Sequence, residues 1–349
     1  MFGCNYSRED GQGLGPVLHP LPTWEKGAVN WSGIQGASLP ESAAAQLKIP
    51  PNTPYRATGV SLIMHPSNPH VPTVHMNVRF FCCGDRWWFG GGIDATPYYP
   101  NVQQVVEFHT VLRDCCQRHS RDYDALKARC DQYFMLPHRN ETRGVGGLFY
   151  DSIHDDYEKC KAFTFDLGRS FVKAYAVFFS NMHLPFTRLQ REFCLYRRGR
   201  YVEFNLLFDR GTKFGISSGG RSESILVSLP AEVHWVYNYK PPVGSDEAHL
   251  YNYFLQPQDW LHLGREDIRK MASPWAARRP IASATRGKQT EPLDAQAAAA
   301  VAADAHARTP RRSGAAKEDT TLTAAFVVGA ALGAGLASLA AWMRSGRKR

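Results

Sequence analysis

Thr73-Val74-His75-Met76-Asn77-Val78-Arg79-Phe80 alternates residue by residue. In an extended backbone successive side chains point to opposite sides. Thr73, His75, Asn77 and Arg79 therefore share one face, and Val74, Met76, Val78 and Phe80 the other. This is the period-two signature of a half-buried β-strand. The apolar face belongs in a core. The other face carries an imidazole, an amide and a guanidinium in succession, which are either solvent-facing sheet residues, common in antiparallel sheets, or the wall of a site.

Working outward, Gly59-Val60-Ser61-Leu62-Ile63-Met64-His65 reads as a second strand, and the three prolines of Pro66–Pro72 require a loop between the two. An antiparallel pair follows, with Ser61 opposite Asn77, Ile63 opposite His75 and His65 opposite Thr73. Ser61 and His65 then join the polar face. Trp87-Trp88-Phe89-Gly90-Gly91-Gly92-Ile93-Asp94 reads as a third strand, whose glycines admit close approach of a backbone or a flat ligand. Residues 101–134 carry apolar positions at helical spacing, with His109 on or beside the apolar side, and residues 155–184 read as a second helical region. Arg143–Tyr150 is a glycine-rich turn into a strand. In Tyr201–Asp209 the alternation returns: Val202, Phe204, Leu206 and Phe208 on a core side, Tyr201, Glu203, Asn205 and Asp209 opposite, predicting another strand, and Ser224–Leu229 reads as one more.

The chain has 349 residues, 44% of them hydrophobic, and a formal net charge of +9. Much of the positive excess lies in the last quarter, among Arg278, Arg279, Arg286, Arg308, Arg311, Arg312, Arg344, Arg347 and Arg349. Nucleic-acid binding does not follow from it. The eight cysteines contain no Cys-x-x-Cys pair, so buried thiols in a reducing compartment are the simple reading. Rossmann and Walker nucleotide loops are missing. Residues 1–26 read as an irregular segment, 27–275 as the catalytic domain and 276–322 as a disordered linker rich in Ala, Arg, Thr and Ser. Ala324–Met343 is twenty residues without a charge, flanked by basic residues, and 323–343 is read as a transmembrane tail anchor.

Arg79, Arg143, Arg200, Arg210 and Arg221 lie near glycine turns and suit carboxylates, because the guanidinium fork pairs both oxygens. With the polar strand faces they argue for a polyanionic, partly flat ligand. His65, His75, His109 and His138 are candidate metal ligands, although no His-x-His or His-Glu-x-x-His spacing supports them.

The runs His65-Pro66-x-Asn68-Pro69-x-x-Pro72-Thr73-x-His75-x-Asn77-x-Arg79, Trp87–Asp94, Arg198–Asn205 and Asp209-Arg210-Gly211-Thr212 closely resemble oxygen-dependent coproporphyrinogen III oxidases over roughly residues 27–263. The resemblance implies an α+β fold, a large antiparallel sheet flanked by helices on both faces, and a homodimer. It implies oxidative decarboxylation of two propionates of coproporphyrinogen III to vinyls, giving protoporphyrinogen IX, with O2 as co-substrate and no organic cofactor. By position it implies Ser61, Asn77, Val78, Arg79, Gly219, Gly220 and Arg221 as substrate contacts and His75 as the proton donor; Asp209 and Arg210 complete the expected catalytic set. His65, His75, His109 and His138 match positions of metal ligands in bacterial members, which leaves a divalent metal open and gives His75 two alternative roles. A burial-raised carboxyl is expected to make Asp209 a base. Residues 1–26 show neither the helix nor the glycine-run strand that the resemblance places ahead of Gly27. That departure supports the alternative of an inactive, membrane-tethered porphyrin-binding homologue. The tail predicts a cytosol-facing enzyme held to an organelle surface such as the mitochondrial outer membrane.

Overall fold

A computed structural model describes residues 3–8, 11–18, 24–39, 44–45, 48–50, 52–217, 220–272 and 319–345. Along the chain run β1 (Gly3–Arg8), β2 (Gly11–Leu18), β3 (Trp24–Gly36), β4 (Tyr55–Pro66), β5 (Thr73–Cys83) and β6 (Arg86–Thr96). Next come α1 (Val102–Arg118), α2 (Tyr123–Tyr133), a two-stranded ribbon of β7 (Met135–Leu136) and β8 (Glu141–Thr142), and β9 (Gly146–Ile153). The remaining helices are α3 (Tyr157–Ala176), α4 (Arg188–Leu207), α5 (Arg210–Ser217), α6 (Ser222–Ile225), α7 (Asp246–Tyr253), α8 (Arg265–Met271) and α9 (Asp319–Ser345).

The opening stretch forms β5, an inner strand of a seven-stranded sheet in the order β1-β2-β3-β4-β5-β6-β9, every neighbouring pair antiparallel. Ser61 meets Asn77 and Ile63 meets His75, as the loop length required. Val74, Met76, Val78 and Phe80 are buried in the main core with α1 and α3 residues such as Phe108, Phe163 and Phe171. The opposite face receives α4, whose Tyr201 packs on Ala28 of β3 and Ile63 of β4. The antiparallel sheet with helices on both faces is as expected. Cys83, Cys115, Cys116, Cys130, Cys160 and Cys194 are free and buried, and Cys82 is free and partly buried.

Three local expectations fail. Residues 3–8 and 11–18, read as irregular, are strands paired with each other, and the second pairs with β3. A glycine-bearing strand does extend the sheet there, so one of the two elements thought missing ahead of Gly27 is present. Tyr201–Asp209 is not a strand. It is the end of α4, which starts at a capping box between Thr187 and Gln190. The alternation misleads because α4 is buried on most sides, so apolar residues are not confined to one stripe. Ser224–Leu229 likewise forms α6 and a 3₁₀ turn (Leu226–Ser228).

The tail requires a larger correction. Among the described residues no helix is long and apolar enough to cross a membrane, so neither the transmembrane element nor the tail-anchored location on an organelle surface stands. The physical reason is composition. Alanine and glycine contribute little hydrophobicity, and the large residues Leu332, Leu336, Leu339 and Met343 fall on one side of α9 and enter the main core. The helix lies across the apolar side of β3 and β4 and against α3. Small residues set the close approach: a Cβ on Gly335 would lie 3.1 Å from a Val60 methyl, and one on Gly168 would lie 3.1 Å from a Leu336 methyl. At the far end the Arg56 guanidinium stacks 3.9 Å over the Trp342 ring. Leu336→Ala or Leu339→Ala is expected to lower the unfolding free energy of the catalytic domain by about 2–5 kcal/mol. Urea unfolding monitored by tryptophan fluorescence checks this, and unchanged stability would mean that the helix contributes nothing to the core. The proposed linker at 276–322 falls mostly outside the described residues.

Candidate active site

The antiparallel register builds the floor of the site. Asn30, Ser61, Asn77, Gly92 and Phe149 form one row across β3, β4, β5, β6 and β9. In a neighbouring row His75 faces Asp94. Cross-strand partners share a face of the sheet, so two short sequence motifs converge without any loop placing them.

His75 Nδ1 lies 3.0 Å from Asp94 Oδ1, and Arg143 Nη2 donates to Asp94 Oδ2 at 2.6 Å. Arg143 Nη1 donates in turn to Asn205 Oδ1 at 3.2 Å. Aromatic rings surround the guanidinium, with its carbon 4.0 Å from the Phe134 centroid and 4.6 Å from that of Tyr201. Burial pushes the Asp94 carboxyl up, but the Arg143 charge and the His75 contact outweigh it, and Asp94 titrates below the usual carboxylate range. A permanent carboxylate therefore holds the His75 ring and favours the proton on Nδ1.

Asp209 stands on the other side of the opening, as the residue before α5. Its Oδ1 accepts from the Tyr133 hydroxyl at 2.8 Å, and its Oδ2 accepts from the Thr212 N–H and hydroxyl at 2.9 and 2.8 Å. Burial alone would raise this carboxyl. The Tyr133 and Thr212 hydrogen bonds, with the His75 charge, reverse the direction, so the expectation of a burial-raised base is corrected: Asp209 is lowered. Burial and the Asp209 charge push the Tyr133 hydroxyl up to about 12, so it remains a donor.

Arg79 lies across Gly90, where a Cβ would come within 2.7 Å of its Nε, and donates to Asn77 Oδ1 at 2.8 Å. Arg210 packs on the Tyr133 ring, 4.9 Å from its centroid, and Tyr133 stacks on Phe149 at 4.1 Å. The Asp151 carboxylate joins the two arginines, at 3.0 Å from Arg79 and 3.1 Å from Arg210. The result is an aromatic wall with two partly exposed cations above a floor of amide, hydroxyl and glycine.

Other expected residues lie elsewhere. Val78 points its side chain into the core on the opposite face and offers the site only its backbone. The Gly220 N–H donates to Gly215 C=O, and Arg221 precedes α6, which reaches β3 where Asn30 donates to Ser224 C=O at 3.3 Å. Gly219 lies outside the described residues. Arg143 and Arg200, read as carboxylate binders, are buried in ion pairs with Asp94 and with Glu203.

The four histidines do not form a metal centre. His65 Nε2 donates to Ser228 C=O and Nδ1 accepts from Thr73, while His109 Nε2 donates to Val145 C=O and Nδ1 accepts from Tyr123. His138 pairs with Glu203 near the surface. Among the described residues no three His, Cys, Asp or Glu side chains are gathered to hold a metal ion. Burial lowers His65 and His109 to about 3 each. Their neutral forms are favoured in the fold, so their stabilisation is fully present above about pH 6.5 and is lost as pH falls toward 3. Each should cost about 1.4 kcal/mol per pH unit across that window. Unfolding midpoints measured between pH 4.5 and 7.5 check this, and His65→Asn should flatten the slope.

The comparisons decide the family. A family model described as coproporphyrinogen III oxidase matches residues 3–260. The chain belongs to the coproporphyrinogen III oxidase family. The chain is also similar to an oxygen-dependent coproporphyrinogen-III oxidase of Dictyostelium discoideum, 56% identical over 249 residues, which cover 70% of this chain and 75% of that relative. The family match takes in β1 and β2, as well as every site residue described above, and ends before α9. Sequence reasoning passed over Tyr133 and Asp151, and it read Asp94 only as a strand end. The pairing of His75 with the strand Trp87–Asp94 carried the signal for Asp94.

Proposed function

We infer that the chain catalyses the oxidative decarboxylation of two propionate groups of coproporphyrinogen III to vinyl groups, giving protoporphyrinogen IX and CO2 in haem biosynthesis, with O2 as co-substrate and no organic cofactor. The observation that carries this reading in the site is the meeting of Arg79 and Arg210 beside an ionised Asp209 and the Asp94-held His75. The two cations suit propionates. Phe149 and Tyr133 suit a pyrrole face. Asn77 and Ser61 offer polar contacts to the macrocycle.

In this reading Asp209 accepts a pyrrole N–H proton and raises the electron density of that ring. O2 then takes two electrons and two hydrogens in each half-reaction: a hydrogen leaves the propionate carbon next to the ring, the bond to the carboxylate breaks, CO2 departs and hydrogen peroxide remains. His75, with its Nδ1 held by Asp94, supplies a proton from Nε2. The four-histidine metal set enters no step, because its members are engaged separately. A homodimer is part of the reading, and sedimentation velocity should show a particle of twice the chain mass.

Anaerobic titration tests the carboxylate-binding role. Coproporphyrinogen III should bind under nitrogen, whereas its tetramethyl ester should bind at least about tenfold more weakly, since charge-assisted pairs are lost. Equal binding of acid and ester would count against it.

A further inference from the structure

Two guanidinium groups on different elements, Arg79 from β5 and Arg210 from α5, share one carboxylate of the protein itself. We propose that Asp151 is an internal stand-in for the substrate carboxylate: it pairs Arg79 and Arg210 while the cleft is empty and is displaced when a propionate binds.

The backbone at Asp151 is built for this placement. β9 pairs Tyr150 with Gly91 and Ile153 with Phe89, so Asp151 and Ser152 together lie opposite Gly90. Two residues facing one is a β-bulge, a device that re-aims side chains beside sites. Ser152 takes the extra position at φ 55°, a conformation costly for a residue with a Cβ. Its N–H donates to Asp151 Oδ1 at 3.1 Å. The bulge leaves Asp151 on the site face beside Phe149 and returns Ile153 to the apolar core. Gly90, the residue facing the bulge, is also the one on which the Arg79 guanidinium lies flat. Strand irregularity, left-handed serine and glycine thus all serve one Arg–Asp–Arg bridge.

The bridge is suited to exchange. The side chains of Arg79, Asp151 and Arg210 are 35%, 32% and 58% exposed, so water screens their attraction and the pairs are weak individually. They contrast with the Arg143–Asp94 pair, whose side chains are 2% and 4% exposed. Without Asp151 two cations would face each other across Phe149, and a propionate would relieve that repulsion. With Asp151 present the arginines are held near each other, and an arriving carboxylate must compete. Asp151 then discriminates, because a neutral or single-point ligand cannot replace a carboxylate that touches both arginines.

This inference rests on the reading that Arg79 and Arg210 receive substrate carboxylate, and the experiment separates the two. KM for coproporphyrinogen III and its anaerobic Kd are measured for the full chain carrying Asp151→Asn, Asp151→Ser or Arg79→Leu. If Asp151 is a competing internal ligand, both Asp151 variants lower KM and Kd by about three- to tenfold. Arg79→Leu raises both. If Asp151 merely props the arginines in place, removing it raises KM, and that result, or unchanged values in both variants, overturns the inference while leaving the carboxylate-binding reading intact. If Arg79→Leu leaves binding unchanged, it is the carboxylate-binding reading that fails.

Discussion

Asp209→Asn is expected to lower kcat by about 100- to 10,000-fold while changing the Kd for coproporphyrinogen III by less than about threefold, the span of a general base lost without loss of binding. The substitution is informative because Asp209 has a second job. Its side chain accepts from the Thr212 N–H at the start of α5, which is the position and contact of a helix cap. Asparagine caps a helix as well as aspartate does. Its amide can keep an oxygen toward Thr212 and turn its NH₂ toward the Tyr133 hydroxyl, which can accept. The fold therefore survives and only the negative charge is removed. Because the carboxyl lies below the ordinary aspartate value of 3.8, the base is already ionised at neutral pH, and its protonation should not limit kcat until the pH falls below about 4. Stopped-flow turnover and anaerobic titration check both statements. A variant with full turnover would reduce Asp209 to a cap, and one that loses binding with unchanged chemistry would make it a substrate contact.

Arg143→Leu should have the largest effect on stability, about 3–5 kcal/mol, because it leaves a buried carboxylate without its cation. Asp94 and Arg143 are both almost fully enclosed, and the Arg143 charge is the largest influence opposing the burial that would push the Asp94 carboxyl up. With Arg143 gone, burial should push the Asp94 carboxyl up and weaken its hold on His75. Chemical unfolding should show the stability loss, and the double variant Arg143→Leu with Asp94→Asn should recover part of it, since no buried charge then remains. If the single variant is as stable as the unchanged chain, the pair is not a structural centre of the site.

The parts of the fold that were legible share a cause. In β4 and β5 one face is core and the other polar, so the period-two pattern fixed both face and register, and a seven-residue loop left one pairing. The same rule misread Val202–Phe208, because on the deeply buried α4 apolar residues recur on several sides and imitate alternation. The tail failed for a related reason. A helix of alanine, glycine and a few leucines has the same one-dimensional signature whether its leucines face lipid or the sheet, and only packing on Val60 and α3 tells them apart. In the site, His75, Asn77, Arg79, Asp209 and Arg210 were legible as motif residues. The histidine set was not, since His65 and His109 spend both ring nitrogens on structural partners, and the Nε2 partners, Ser228 and Val145, lie far away in sequence. Asp151 was invisible because its role depends on a bulge, which arises from pairing with another strand and leaves no local pattern.

The central claim is that this cleft decarboxylates coproporphyrinogen III only as O2 is consumed. The direct measurement is CO2 released by the purified full chain from carboxyl-labelled coproporphyrinogen III, first under nitrogen and then after air is admitted. The account predicts no CO2 before air, then two CO2 for each protoporphyrinogen IX formed, with Asp209→Asn nearly silent in both phases. Release of CO2 under nitrogen, or no release in air despite tight substrate binding, would contradict it.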